Sequence, residues 1–222
     1  MAELPKINIL FEDNHLLVVE KPINVLSQGD ATGDVDLLNM VKQYVKVKYN
    51  KPGNVYIGLV HRLDRPVGGI MVFARSSKAA SRLNKQQLEH GFDKKYLAVI
   101  NGVMDKTSGK LVDKLEKCSD GNTVVSENGK ESILNYVVLD VNRDTNHSLV
   151  EVKLETGRHH QIRVQFASRG HYLCGDQRYG RVDKTQLALF AYRLGFIHPV
   201  TKEKLEFLLY PPKVGYWTEF TL

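Results

Sequence analysis

The sequence predicts an α+β fold in which strands outnumber helices, within one domain spanning residues 1–222. Short apolar runs, many of them alternating with polar residues, recur along the chain and are typical of strands. Only three segments carry the signals of a helix. No internal repeat, low-complexity tract or Pro/Ser-rich linker divides the chain, and its length fits the usual size of one large domain or two small ones. One mixed α+β domain is the simplest interpretation.

The order of these elements follows from local patterns. Strands are predicted at 7–11, 15–20, 69–74, 95–100, 111–115, 132–139, 148–154, 187–196 and 204–209. Helices are predicted at 35–49 and 159–169 from the spacing of their apolar residues, and at 78–90 after the candidate N-caps Ser76-Ser77. The turn-rich segments 105–110 and 119–130 are expected to be loops within a sheet.

Composition narrows the classes of partner and location. The net charge is +6 and the sequence pI is about 9.2, which favours a polyanionic partner such as nucleic acid. The longest apolar runs are far shorter than the roughly 20 residues of a transmembrane helix, and no signal peptide is recognisable at the start. We therefore expect a cytoplasmic protein without membrane contact. The two cysteines lack the spacing of a disulfide framework or a zinc site.

The densest group of polar residues surrounds Asp64. The segment 58–70, GLVHRLDRPVGGI, joins one strand to the next through a Gly-Gly turn and holds one carboxylate beside a histidine and two arginines. An isolated aspartate at such a place usually caps a turn and pairs with a neighbour such as Arg65. The alternative is that Asp64 is a catalytic carboxylate, either a nucleophile or a base.

Six segments in a consistent order favour the catalytic alternative. His61-Arg62-Leu63-Asp64, followed by a small-residue turn and an apolar strand, resembles the signature around the catalytic aspartate of RluA-type pseudouridine synthases. The other segments that resemble this family are 11–22 (FEDNHLLVVEKP), 94–102 (KKYLAVING), 154–163 (LETGRHHQIR), 175–180 (GDQRYG) and 196–199 (FIHP). The resemblance extends from about residue 9 to residue 212.

The resemblance implies a fold, a reaction and a set of catalytic residues. The fold would be the pseudouridine synthase catalytic fold, a largely antiparallel mixed sheet with flanking helices and a central active cleft. The reaction would isomerise specific uridines of RNA to pseudouridine. Asp64 would be the catalytic nucleophile or base, Tyr96 would stack on the uracil, and Arg163 would hold Asp64 ionised. Without the resemblance, Tyr96 would be interpreted as a half-buried strand residue and Arg163 as a solvated helix residue.

The same motifs imply how the substrate is bound. An enzyme that acts on a base usually takes it out of the stack, and the planar guanidinium of Arg62 would fill the vacated space. Residues expected to contact the substrate are His61, Arg62, Arg65, Gly157, Arg158 and Ile162. Asp176 and Tyr179, in the segment 175–180, are expected to order a loop near the cleft.

No cofactor and no metal are expected. His61, His159 and His160 are the candidate ligands, but adjacent helical residues point roughly 100° apart and do not easily share an ion. The resemblance implies structured RNA, ribosomal or transfer RNA, as the partner of a monomeric enzyme. Many relatives carry a separate small RNA-binding (S4) domain before the catalytic part. Because the opening strand pair starts close to Met1, we expect that domain to be absent.

One departure from the family pattern keeps alternatives open. The family places Thr-Ser before the glycine of the aspartate loop, whereas this chain has Val67-Gly68. A non-catalytic RNA-binding module with the same fold is the main alternative. A metal-dependent phosphodiesterase built on Asp64 is the second, and it would need further carboxylates or histidines in one cluster.

Overall fold

The computed structural model describes residues 6–222 and contains eleven strands and three α-helices in that range. The strands are β1 Ile9–Glu12, β2 Leu16–Lys21, β3 Gly58–Leu59, β4 Gly68–Ala74, β5 Asp93–Asn101, β6 Ser108–Lys117, β7 Thr123–Val125, β8 Lys130–Asn142, β9 His147–Leu154, β10 Leu189–Ile197 and β11 Lys204–Leu208. The helices are α1 Leu37–Lys48, α2 Ser77–Leu88 and α3 Gln161–Ala167, and a short 3-10 helix follows at Gly215–Glu219. The predicted α+β class with a largely antiparallel sheet is confirmed.

Each predicted strand and helix is present, with ends that differ by a few residues. The two loop predictions are wrong in part, because β6 already begins at Ser108 and β7 lies inside 119–130. β7 is only three residues long, and both of its valines, Val124 and Val125, are exposed. So short a strand shows no alternation of buried and exposed residues, and only its pairing with β6 defines it.

The chain forms two compact units. The first contains the described residues up to Asp93 together with Arg193–Leu209, and the second contains Lys94–Tyr192 and Tyr210–Leu222. Strand β10 contributes residues to both. Asp64 belongs to the first unit, whereas Tyr96 and Arg163 belong to the second.

In the first unit, β2 pairs antiparallel with β1 and with β4, β3 pairs with β4, and β11 pairs with the C-terminal part of β10. All seven residues of β4 are buried. One side of this sheet forms an apolar core with α2, and its members include Leu16, Val18, Ile70, Val72, Ala79 and Leu83. The core therefore supports the strand that follows the Asp64 segment.

In the second unit the strand order is β5-β9-β8-β6-β7, and each of these neighbours is antiparallel. Helix α3 packs on one face of this sheet, where the ring of Phe166 meets the ring of Tyr136 on β8 with centroids 5.8 Å apart. Six of the seven α3 residues are buried. The helix is therefore a core element, which explains how it can hold an arginine out of solvent.

Within residues 6–222, none of the helices has the length and apolar character that crossing a membrane requires.

The start of α2 provides a test of the predicted N-cap. The Ser76 hydroxyl accepts the backbone N–H of Ala79 at 3.2 Å, whereas Ser77 is the exposed first residue of the helix. We expect Ser76→Ala to lower the free energy of unfolding by about 1 kcal/mol because a helix N–H loses its acceptor. Urea denaturation measures the change, with Ser77→Ala as the matched control. An equal loss in both variants would contradict the cap.

Candidate active site

Asp64 lies on the turn between β3 and β4. The backbone N–H of Val67 donates to the backbone carbonyl of Asp64 at 3.0 Å, which closes a four-residue turn directly before β4. Gly69 follows with φ of +128°, a conformation that glycine adopts at little cost. Because the backbone of Asp64 closes the turn, the turn itself does not require a carboxylate side chain at this position.

Two buried polar side chains, from the end of β2 and the segment after it, anchor this turn. The Ser27 hydroxyl donates to the Leu63 carbonyl at 2.7 Å and accepts the Leu63 N–H at 3.0 Å. The Nζ of Lys21 donates to the carbonyls of Pro22, Val25 and Arg65 at 2.9, 2.6 and 3.0 Å. The residues on both sides of Asp64 are therefore held to the same segment.

Lys21 is fully buried, and its charge is coupled to Asp64. Burial lowers the pKa of Lys21 to about 7, the negative charge of Asp64 opposes this shift, and the positive charge of Arg65 adds to it. Three carbonyl acceptors match the three N–H groups of an ammonium ion. Asp64 thus has a buried, ionisable amine in its surroundings that the sequence motifs did not single out, although Lys21 lies in the segment 11–22 that resembles the family.

The other residues of the motif divide into buried and exposed ones. His61 is buried, and its Nε2 accepts the N–H of Val72 at 3.1 Å, which joins the start of the turn to β4. Arg62 is exposed. Arg65 pairs with Asp34 at 2.7 Å, and both side chains are 47% exposed. Exposed ion pairs contribute little stability, so this pair adds little to the stability of the turn. The predicted substrate contacts of all three stay predictions.

Tyr96 points to the face of the second unit's sheet on which α3 lies. Its partner on β9 is Val152, whose partner on β8 is Tyr136, and residues directly opposite each other in antiparallel strands project to the same face. Tyr136 in turn contacts Phe166 of α3. The structure therefore brings Tyr96 to the same face as the helix that carries Arg163.

Arg163 is buried on α3 and makes a two-point ion pair with Asp176. Its Nε and Nη2 donate to the two carboxylate oxygens of Asp176, each at 2.7 Å, and the exposed fractions of the two side chains are 7% and 0%. Burial alone would raise the pKa of Asp176, but the hydrogen bonds and charge of Arg163 and the N–H groups of Arg178 and Tyr179 lower it below its usual value. The sequence motif suggested only a loop-ordering role for Asp176.

The connection from β9 to α3 holds the remaining predicted residues. The Oε1 of Gln161 accepts the Thr156 hydroxyl and the Arg158 N–H, both at 2.9 Å. Gly157 is exposed, and a Cβ there would meet no atom within 4 Å. The Arg158 side chain is exposed, with its Nε donating to the Glu131 carbonyl, whereas Ile162 is buried. Their contacts with substrate stay predictions.

The expectation that His159 and His160 lie on a helix is wrong. The helix begins at Gln161, and His160 precedes it in the left-handed conformation with φ of +52°. The two rings consequently stack with centroids 3.7 Å apart, instead of diverging as helical neighbours would. In the part of the chain that the structure describes, no three His, Cys, Asp or Glu side chains form a group that could hold a metal ion.

Comparison with known proteins identifies the family to which the chain belongs. A family model described as RNA pseudouridylate synthase matches residues 15–168, more than half of the chain. An uncharacterized RNA pseudouridine synthase of Aquifex aeolicus is 34% identical, over 93% of this chain and 70% of its own length. The ribosomal large subunit pseudouridine synthase D of Zymomonas mobilis is also 34% identical, over 90% of this chain and 68% of its own length. The chain therefore belongs to the RNA pseudouridine synthase family, whose members are isomerases.

Two solved human structures share the fold. Human RNA Pseudouridylate Synthase Domain Containing 4 superposes with a TM-score of 0.79 at 22% identity and covers 96% of this chain and 90% of its own. Human RNA Pseudouridylate Synthase Domain Containing 1 has a TM-score of 0.76 at 24% identity, with coverage of 98% and 88%. The expected pseudouridine synthase fold is confirmed.

The buried lysine generates a pH-dependent prediction. Because the pKa of Lys21 falls from 10.5 in the unfolded chain to about 7 in the folded protein, the unfolded state binds more protons between these values. The free energy of unfolding should therefore rise with pH in this window, with a slope from Lys21 of up to about 1.4 kcal/mol per pH unit. Lys21→Met removes the pH dependence that Lys21 contributes. It also leaves three carbonyls without their donor, so the free energy of unfolding at pH 9.5 should be lower than in the wild type.

Urea denaturation at pH 6, 8 and 9.5 measures both effects in the wild type and in Lys21→Met. Lys46→Met, which removes an exposed lysine of α1, is the matched control. We expect the difference between wild type and Lys21→Met to grow from pH 6 to pH 9.5. A difference that is constant over this range would show that the buried amine keeps an ordinary pKa.

Proposed function

We propose that this enzyme converts specific uridines of a structured RNA, ribosomal or transfer RNA, to pseudouridine, with Asp64 as the catalytic nucleophile or base. The anchored Asp64 turn carries the proposal. A reacting group must be held within about 0.5 Å of its productive position. The bonds from Ser27 and Lys21 to Leu63 and Arg65, on either side of Asp64, supply such a restraint.

The reaction balances without an external reactant. The bond between ribose C1′ and uracil N1 breaks, the ring turns while bound, and C1′ bonds to C5 instead. The proton on C5 is lost and N1 carries a proton in the product, so no electron acceptor or group donor is required. One carboxylate can assist by attacking the sugar or the base, or by removing a proton from the sugar to start an elimination. We therefore propose that the enzyme works without a cofactor.

Asp64 must be ionised to act in either way. Partial burial raises the pKa of a carboxyl group, and a nearby cation opposes that rise. The charge of Lys21 is coupled to Asp64 within the first unit. We propose that Arg163 supplies a second positive charge, as the resemblance of the segment 154–163 implies. Positive charge around Asp64 would oppose the effect of burial on its ionisation.

Tyr96 and Arg62 are proposed to handle the target nucleotide. The Tyr96 ring is buried at 8% exposure, and a ring in contact with a flipped base contributes roughly 1 to 3 kcal/mol by stacking. The exposed side chain of Arg62 would enter the gap that the base leaves. His61, Arg65, Gly157, Arg158 and Ile162 complete the proposed substrate contacts.

The substrate class is drawn from the charge of the chain and from the relatives. The net charge of +6 suits a partner with many phosphates. Relatives from Zymomonas mobilis and Vibrio cholerae are named ribosomal large subunit pseudouridine synthase D, so large-subunit ribosomal RNA is the first substrate to test and transfer RNA the second. A monomeric state and a cytoplasmic location stay predictions from the sequence.

The decisive test replaces Asp64 by Asn, which keeps the size of the side chain and cannot act as a carboxylate. We expect loss of tritium release from a large-subunit ribosomal RNA transcript labelled at uracil C5, by at least about 1,000-fold. RNA binding should stay within a few fold, because phosphate contacts supply most affinity, and the melting temperature should be similar. Asp105→Asn, at an exposed position, is the control.

Each outcome separates two functions. Substantial turnover by Asp64→Asn would refute the catalytic assignment. A wild-type protein that binds both RNA classes but releases no tritium from either would instead support a non-catalytic RNA-binding module, the alternative raised by Val67-Gly68. Mapping pseudouridines in total RNA, with and without the gene, identifies the modified position.

The role of Arg163 predicts a shift of the pH-rate profile. If its charge keeps Asp64 ionised, Arg163→Met should move the acid limb of kcat to higher pH, and Arg163→Lys should restore part of the rate without the planar guanidinium. Single-turnover rates between pH 5 and 9 measure the limb. Because Arg163→Met also leaves Asp176 buried without this partner, melting curves must accompany the rates. An unshifted profile in a folded Arg163→Met enzyme would remove Arg163 from this role.

A further inference from the structure

The surroundings of Arg163 restrain its guanidinium group from two directions. The edge that carries Nε and Nη2 binds both oxygens of Asp176. The group also lies over the ring of Tyr179, with the guanidinium carbon 5.1 Å from the ring centroid. A two-point bond at the edge fixes the plane of a guanidinium, and attraction between the cation and the ring limits its movement.

Asp176 is itself held rigidly by the backbone. Its Oδ1 accepts the N–H groups of Arg178 and Tyr179 at 3.0 and 3.1 Å, in addition to Nη2 of Arg163. The loop begins at Gly175, where φ is +73° and a Cβ would come within 2.2 Å of the Gln186 carbonyl. The close approach of these two backbone segments fixes the start of the loop, and the carboxylate position follows from it.

The hydroxyl of Tyr179 joins two further segments. It accepts the N–H of Thr123 at 2.9 Å and lies 2.7 Å from Nδ1 of His160. Burial, together with the charge of Arg163, lowers the pKa of His160 to about 3, so this imidazole is neutral at working pH. The hydroxyl of Tyr179 therefore forms its second hydrogen bond with a neutral imidazole. His159 adds a contact of 2.8 Å between its Nδ1 and the Thr123 hydroxyl.

We propose that Asp176 and Tyr179 are positioning residues for Arg163: Asp176 fixes the edge of the guanidinium, and the ring of Tyr179 holds the cation above it. Such restraint gives the positive charge of Arg163 a set position and orientation. The proposal rests on the proposed function in one respect, namely that the charge of Arg163 keeps Asp64 ionised in the reacting enzyme.

The charges predict opposite effects for the two members of the ion pair. Asp176 offsets part of the positive charge of Arg163. Asp176→Asn should therefore strengthen the electrostatic effect of Arg163 on Asp64 and move the acid limb of kcat to lower pH. Arg163→Met should move it to higher pH. The other charged and titratable groups around this ion pair are His159, His160, Arg178 and Tyr179, and both substitutions leave them in place.

The rates distinguish positioning from general support of the fold. With the transcript of large-subunit ribosomal RNA, Asp176→Asn should lower kcat about 10-fold or more and leave KM within about 2-fold, because one of the two edge bonds is lost while RNA contacts remain. Tyr179→Phe keeps the ring against Arg163 and should lower kcat less than about 3-fold. Tyr179→Leu removes the ring and should lower kcat as Asp176→Asn does.

The second unit offers a matched control pair. Arg169, beyond the end of α3, makes its own two-point bond with Asp113 of β6, at 2.8 and 3.1 Å. Asp113→Asn breaks this bond in the same way, and we expect it to leave kcat and the acid limb unchanged. The double variant Arg163→Met with Asp176→Asn should resemble Arg163→Met alone, because Asp176 is proposed to act only through Arg163.

The results that would overturn the proposal are distinct from those that would overturn the proposed function. A wild-type enzyme that releases no tritium from either RNA class refutes the proposed function. If the wild type is active and Asp176→Asn keeps both its kcat and the acid limb of its pH-rate profile, the positioning role alone is refuted. An equal loss of kcat in Asp113→Asn and Asp176→Asn refutes it as well. If Asp176→Asn does not fold, the double variant and Tyr179→Leu test the proposal instead. A double variant much slower than Arg163→Met refutes it, and so does a Tyr179→Leu enzyme with the kcat of the wild type.

Discussion

A buried ammonium group is the constraint on which the Asp64 turn depends. Lys21 has no exposed surface, and an ion in such a place must have its donors satisfied. Two of its acceptors lie in its own segment, and the third is the carbonyl of Arg65, 44 residues later. Because separating the turn from this segment would leave the cation unsatisfied, the position of Asp64 follows from the burial of Lys21.

The second unit satisfies a buried cation in a different way. Arg163 binds a carboxylate, so the pair with Asp176 has little net charge, whereas the carbonyls around Lys21 are neutral and do not balance its charge. This difference explains why burial dominates the pKa shift of Lys21 and does not dominate that of Asp176. The pKa of Asp176 is lowered because a full positive charge is in contact with it, whereas the pKa of Lys21 is lowered because burial outweighs the attraction of Asp64.

Two histidines of the motifs join neighbouring segments through hydrogen bonds. Nε2 of His61 accepts a backbone N–H of β4, and Nδ1 of His160 lies 2.7 Å from the hydroxyl of Tyr179. A ring nitrogen that accepts must be unprotonated, which applies to Nε2 of His61, and burial lowers the pKa of His160 to about 3. Both side chains therefore connect a motif to a neighbouring segment, and the acid–base chemistry belongs to Asp64 in the proposed mechanism.

The sequence by itself determined the α+β class, the order of the predicted strands and helices, and the family, because local periodicity and contiguous motifs record them. Only the tertiary structure decided that Ser76 rather than Ser77 caps α2 and that β7 lies within the predicted loop. It also decided the left-handed conformation of His160, so that α3 begins two residues later than predicted. It alone revealed the partners of Lys21 and Arg163. Backbone carbonyls have no side-chain signature, and Asp176 lies 13 residues from Arg163, so no local pattern specifies either contact.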